Sequence, residues 1–177
     1  MWLMRDKIAA RGKTDEYVKV LAYWSGLAET RKPYVYGRDE LLDSWHTLLI
    51  PKIVSALMLP DEAEQYRAMK SLGVWLSGSL GFTPGTIGGI KPDGTTFHHG
   101  GFYPAYSTGA FAMIGYFCKA TRGTDFTLSE QARRNFKLAL MTMGWMVTAL
   151  STLFGAPFWF DLLQKATNLR GIKGKAS

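Results

Sequence analysis

Asp93 to Phe111 reads D-G-T-T-F-H-H-G-G-F-Y-P-A-Y-S-T-G-A-F, and the chain changes character across it. From Phe82 to Tyr103, glycine, proline and threonine recur every few residues, too often for a regular element, so a long loop is expected. Long loops inside compact domains are usually functional or disordered. This one carries Phe82, Phe97, Phe102, Tyr103 and the adjacent pair His98-His99, a content poorly suited to disorder. Near Ala105 helical periodicity resumes and runs to Ala120, so the loop feeds directly into a helix.

Outward from this stretch the pattern is helical on both sides. Upstream, apolar residues recur at helical spacing from about Trp2 to Leu27, including Val18, Leu21, Ala22 and Trp24, with an interruption at Gly12 and Thr14-Asp15 as cap chemistry. One or two helices are expected there. After the break at Pro33 to Gly37, a second helical stretch runs from Arg38 to Leu59 with Leu41, Leu42, Trp45, Leu48, Leu49 and Ile53 on its apolar side, and Pro51 should kink or divide it. Pro60-Asp61 reopens a helix with acidic residues in its first turn, favoured by the helix dipole, which lasts until Gly78 to Gly81. Downstream, Thr124-Asp125 and Ser129-Glu130 provide start signals for a helix from about Thr127 past Leu150, and a last piece lies between Phe158 and Leu169. No stretch alternates as a strand does. The expected fold class is therefore all-α, with paired antiparallel helices returning at roughly forty-residue intervals.

Leu138 to Phe160 carries no formal charge over 23 residues, and about 20 apolar residues suffice to span a bilayer. Thr142, Thr148, Ser151 and Thr152, three breakers (Gly144, Gly155, Pro157) and the lack of a second such run favour a buried helix wrapped by its neighbours. A membrane protein fragment built around 138–160 is the alternative.

The 177 residues suffice for one domain with a real core, and 47% apolar residues exclude a disordered polymer. A formal charge of +7 suits an acidic partner: nucleic acid, anionic lipid or anionic polysaccharide. The basic residues are scattered apart from Arg170, Lys173 and Lys175, so no nucleic-acid motif stands out. Cys118 is the only cysteine, which excludes an intrachain disulfide and paired-thiolate metal binding and suits a small core residue. Met1 to Lys13 alternates apolar and charged positions and does not read as a signal peptide but as the interior of a helix.

The string Asp93-Gly94-Thr95, Phe97, His99, Tyr103-Pro104 and Tyr106, with Tyr106 seven residues after His99, resembles the catalytic loop of the chondroitin sulfate ABC lyases. The similarity is strongest over about Leu42 to Phe111 and includes the helix from Leu59-Pro60-Asp61 to Trp75-Leu76. What the resemblance implies is a partial (α/α) toroid spanning 1–177, with the catalytic loop at 82–106 and the β-sandwich region of the family downstream and absent. It implies cleavage of uronide 1,4-linkages in chondroitin or dermatan sulfate by β-elimination. Tyr106 would be the general acid/base toward glucuronate. His99 would help neutralise the carboxylate, or act as base for iduronate, whose C5 proton lies on the opposite face. His98, Tyr103 and Trp75 would bind substrate. The implied partners are an acidic glycosaminoglycan and the remainder of a parent chain, in a secreted or periplasmic setting, with no cofactor required; nothing in the residues speaks for or against stimulation by a divalent cation. The chain departs from the family where an arginine is expected after the next helix, since it reads Leu153-Phe154-Gly155-Ala156-Pro157, and the family's glutamate would lie beyond Ser177. A non-catalytic glycosaminoglycan-binding module is the resulting alternative.

The chemistry agrees with these residue types. Elimination removes the proton on C5 and delivers one to the departing O4, tasks an imidazole and a phenol can perform, and nearby cations would be expected to lower the phenol's pKa. Plainer roles compete. Asp93-Gly94 after Pro92 is an ordinary turn; Phe102 is expected to pack; Trp45, Trp75 and Trp145 fit helix cores at least as well as sugar platforms; His46 reads as a satisfied, partly buried histidine. Adjacent histidines on an extended chain should point to opposite sides, and no carboxylate or thiolate cluster accompanies His98-His99 in sequence, so no metal site is expected.

Overall fold

The computed structural model describes residues 2–37 and 40–172. Arg38, where the second helical stretch was expected to begin, and Lys173 and Lys175 of the basic cluster lie outside them.

The N-terminal stretch forms a short 3-10 turn, helix α1 (Arg5–Ala10) and helix α2 (Thr14–Ser25), separated at Gly12 in a left-handed conformation. Helices α3 (Leu41–His46) and α4 (Leu49–Leu57) occupy the second stretch. Pro51 divides them: its ring would clash with the carbonyl four residues back, at Thr47, so the chain breaks at Thr47-Leu48 and restarts with the proline in the first turn of α4, where no N–H is needed. Helix α5 (Glu62–Ser79) is capped by Asp61, whose carboxylate accepts from the Glu64 N–H at 2.8 Å. Helix α6 (Pro104–Ala120) begins on its proline, and α7 (Glu130–Leu153) begins on Ser129, whose hydroxyl accepts from the Ala132 N–H at 3.2 Å. Helix α8 (Gly155–Ile172) follows. The chain is all-α in class, as expected.

One core joins α3 to α7, built from Leu41, Leu42, Trp45, Leu49, Leu72, Leu76, Leu80, Ile114, Phe117 and Phe136 among others. Trp45 is fully buried and its indole N–H donates to the Ser79 hydroxyl at 2.9 Å, settling it as a core residue. Two glycines let helices approach their neighbours closely. At Gly73 on α5 an added Cβ would lie 2.5 Å from the Phe126 carbonyl oxygen, and at Gly109 on α6 it would lie 2.4 Å from the His46 ring.

Two expectations need correction. The loop after α5 is not wholly irregular: β1 (Gly89–Ile90), β2 (Thr96–His98) and β3 (Gly101–Phe102) form a three-stranded antiparallel sheet in the order β1-β2-β3. Its strands are two or three residues long, too short for alternation to register in sequence. The second correction concerns Leu138 to Phe160. Helix α7 packs through Ala132, Asn135, Phe136 and Ala139, but from Leu140 to Leu153 no residue is buried, and Trp145 is 65% exposed. Of the described residues in the run expected to be buried only Ala139 is, because α5 and the small sheet cover the first half of α7 and the run lies mostly beyond it. By length and composition α7 could also cross a membrane.

Candidate functional site

The site grows from the turns of the small sheet. Asp93 accepts from both the backbone N–H (2.9 Å) and the hydroxyl (2.7 Å) of Thr95, with Gly94 at φ 82°, which closes the β1–β2 hairpin. The Thr142 hydroxyl of α7 donates to the Asp93 carbonyl at 2.9 Å and anchors that turn. Between β2 and β3 the loop is only His99-Gly100, since His98 pairs with Gly101. Two-residue antiparallel loops favour turns with both central residues left-handed, and His99 and Gly100 adopt φ 50° and 76°.

That left-handed histidine overturns the expectation that His98 and His99 point apart. Their rings lie 3.9 Å apart, tilted by 32°. Positive φ costs an L-residue energy, so this arrangement holds the His99 ring outward, exposed, beside a His98 that is 2% exposed. His98 in turn stacks on Tyr106 with centroids 4.8 Å apart, and Tyr103 meets both rings edge-on at 5.8 and 5.7 Å. Tyr103 is 45% exposed and immediately precedes α6, while Tyr106 is half-buried in its first turn. Ser107, fully buried, bonds the Thr96 hydroxyl and donates to the Tyr103 carbonyl at 3.0 Å, pinning the strand to the helix.

Helix α3 completes the group with two residues three apart on one face. Asp43 places a carboxylate oxygen 3.7 Å from His98 Nε2, and it accepts the hydrogen bond of the Tyr106 hydroxyl. His46 is exposed rather than partly buried and meets the Tyr106 ring edge-on at 5.4 Å. That approach is possible because position 109 on α6 is glycine. Sequence reasoning missed Asp43 and placed His46 elsewhere; the available signal was an Asp-x-x-His pair beside the apolar stripe Leu42, Trp45 and Leu49.

The electrostatics also differ from expectation. The hydrogen bond to Asp43, reinforced by that carboxylate's charge, raises the Tyr106 pKa above the usual tyrosine value, where neighbouring cations had been expected to lower it. Tyr106 therefore rests as a neutral phenol.

His99, Tyr106, His98 and Tyr103 are thus brought together, and Trp75 is not. The indole of Trp75 is 4% exposed in the core, edge-on to Tyr34 at 5.7 Å and with Lys52 Nζ 5.7 Å from its centroid. It touches the floor of a separate hollow of about 350 Å³ lined by Lys32, Pro33, Tyr34 and Val35. Phe102, expected to pack, is 45% exposed on β3, whereas Phe97 lies half-buried under Lys91 Nζ at 4.6 Å. Cys118 is half-buried against the core, and burial pushes its thiol pKa up.

Comparison with known proteins identifies the family. Residues 1–154 match the family described as "Lyase, catalytic". The chain is 33% identical over 146 residues to a chondroitin sulfate ABC exolyase of Bacteroides thetaiotaomicron, covering 80% of this chain and 14% of that one. It is 36% identical over 105 residues to a chondroitin sulfate ABC exolyase of Proteus vulgaris, covering 59% and 11%. To a chondroitin sulfate ABC endolyase of Proteus vulgaris it is 28% identical over 142 residues, covering 79% and 14%. The chain therefore spans between about a ninth and a seventh of the length of these relatives. A family match running from the first residue through the whole of α7, over the segment that builds the ring cluster, means that this chain belongs to the lyase catalytic family.

Proposed function

We propose that this chain supplies the histidine–tyrosine part of the active site of a glycosaminoglycan lyase that cleaves uronide 1,4-linkages of chondroitin or dermatan sulfate by β-elimination. The observation that carries the proposal is the clustering of an exposed imidazole (His99) and a half-buried phenol (Tyr106) on either side of the buried His98 ring. In the reaction the C5–H bond breaks, its electron pair forms the C4–C5 double bond, and the C4–O bond breaks with a proton delivered to O4.

Tyr106 is suited to the proton delivery because Asp43 holds it protonated. For iduronate, His99 takes the C5 proton while Tyr106 protonates O4. For glucuronate, the phenol takes the C5 proton as it passes its own to Asp43, then returns a proton to the leaving oxygen. Tyr103, exposed beside both rings, flanks the sugar. The net charge of +7 favours an acidic polymer. The resemblance implies an arginine at 153–157, where this chain reads Leu153-Phe154-Gly155-Ala156-Pro157, so the carboxylate must be neutralised by another group.

The test exploits the product. Elimination leaves a double bond conjugated with the carboxylate, which absorbs in the near ultraviolet, whereas hydrolysis or binding alone does not. In the full-length protein incubated with chondroitin sulfate, Tyr106→Phe should cut the rate of absorbance gain by a factor of about 10² to 10⁴, the range for losing a general acid/base, with polysaccharide binding retained. Near-full activity in that variant, or salt-sensitive binding by the unmodified protein with no unsaturated product, would leave only a binding module.

A further inference from the structure

We propose that Asp43, His98 and His99 form a binding site for a single divalent cation of the zinc class. One ligand atom from each of the three residues lies within 4.8 Å of the other two. The His98 Nε2 to Asp43 carboxylate separation is 3.7 Å. Ligands 2.0–2.1 Å from a tetrahedral ion are about 3.4 Å apart, so that pair stands near coordination distance already. The third ligand has only to close inward. His99 is exposed at the tip of a two-residue turn, with its ring already 3.9 Å from that of His98.

The donor set decides the class of ion. Two imidazoles and one carboxylate suit zinc, cobalt, nickel or ferrous iron, whereas calcium and magnesium prefer six or more oxygens. Burial is graded as in open metal sites: His98 is buried, Asp43 half-buried and His99 exposed, so a fourth position faces solvent. The Tyr106 hydroxyl bonds to Asp43 and can orient that carboxylate from outside the coordination sphere. Two segments remote in sequence contribute, α3 with Asp43 and the end of β2 and its turn with His98-His99, which is why no ligand spacing was visible along the chain. In a lyase of the kind proposed above, an occupied site would withhold His99 from the sugar, which makes the cation an inhibitor of that chemistry.

Calorimetric titration of the purified chain with ZnCl₂, without polysaccharide, tests the site separately from the lyase reading. One Zn²⁺ per chain is expected. His99→Gly, which suits the left-handed turn and should keep the fold, and Asp43→Asn should each weaken binding at least about tenfold. His46→Ala should not. The chain has three histidines and one cysteine, so the controls cover every other imidazole and thiol once Cys118→Ser is included with His46→Ala. Lack of saturable binding, equal binding in His99→Gly, or loss of binding in His46→Ala or Cys118→Ser would overturn the site.

Discussion

Two glycine-to-alanine substitutions in helix interiors should have opposite effects, for reasons set by their neighbours. Alanine is favoured over glycine within a helix by about 1 kcal/mol, so propensity alone predicts that both Gly73→Ala and Gly109→Ala stabilise. At Gly73 the new Cβ would lie 2.5 Å from a backbone oxygen, that of Phe126. The turn carrying Phe126 is held by Tyr66 donating to Asp125 at 2.9 Å, by Lys70 donating to the Asp125 carbonyl at 2.7 Å, and by the Ser129 N–H donating to Ser77 at 2.9 Å. It cannot retreat without lengthening those bonds. Overpacking of this kind costs about 1–3 kcal/mol, and the lost hydrogen bonds add to it, so a net loss of about 1–2 kcal/mol remains after the propensity gain. For a domain of this size that lowers Tm by roughly 2–8 °C. At Gly109 the clash is with the ring of His46, which is exposed and can swing away, so Tm should hold or rise by a few degrees. The cost appears in function instead, because His46 leaves its edge contact with Tyr106. Thermal melts followed by circular dichroism, with the near-ultraviolet lyase assay on the full-length protein, read both effects. If Gly73→Ala melts as high as Gly109→Ala, the packing argument is wrong.

Asp43→Asn weakens the hydrogen bond and removes the charge that together raise the Tyr106 pKa, so in a spectrophotometric tyrosinate titration one tyrosine should ionise at lower pH in the variant. A tyrosine whose folded pKa lies above its unfolded value of about 10 contributes stability that is present below that pH and lost as pH rises through the folded pKa. Unmodified protein should therefore lose more stability than Asp43→Asn across that alkaline window, and parallel pH profiles would refute the coupling. Asp61→Ala deletes the α5 cap and should cost about 1 kcal/mol, visible as a lower denaturation midpoint with unchanged slope. In the full-length protein His99→Ala should impair turnover of iduronate-rich dermatan more than glucuronate-rich chondroitin; equal losses would argue against an epimer-specific base.

Local chemistry was sufficient for much of this protein. Gly12, Pro51, Asp61 and Ser129 act within one or two helical turns of themselves, through a forced φ, a missing N–H or a side-chain cap, and so the helix boundaries were readable one segment at a time. The string from Asp93 to Tyr106 was likewise legible, because its turns and its His99–Tyr106 spacing lie within fourteen consecutive residues. What depended on contacts between distant segments was not. Asp43 and His46 precede His99 by more than fifty residues and join it only because α3 packs across α6, an approach that Gly109 permits. The Tyr106 pKa is raised rather than lowered because that packing delivers a carboxylate. The two histidines converge because a sheet three strands wide forces a two-residue turn, and with it a left-handed His99. Apolar content marked Leu138 onward as material for burial, yet burial needs a second surface, and α5 and the small sheet cover only the first half of α7.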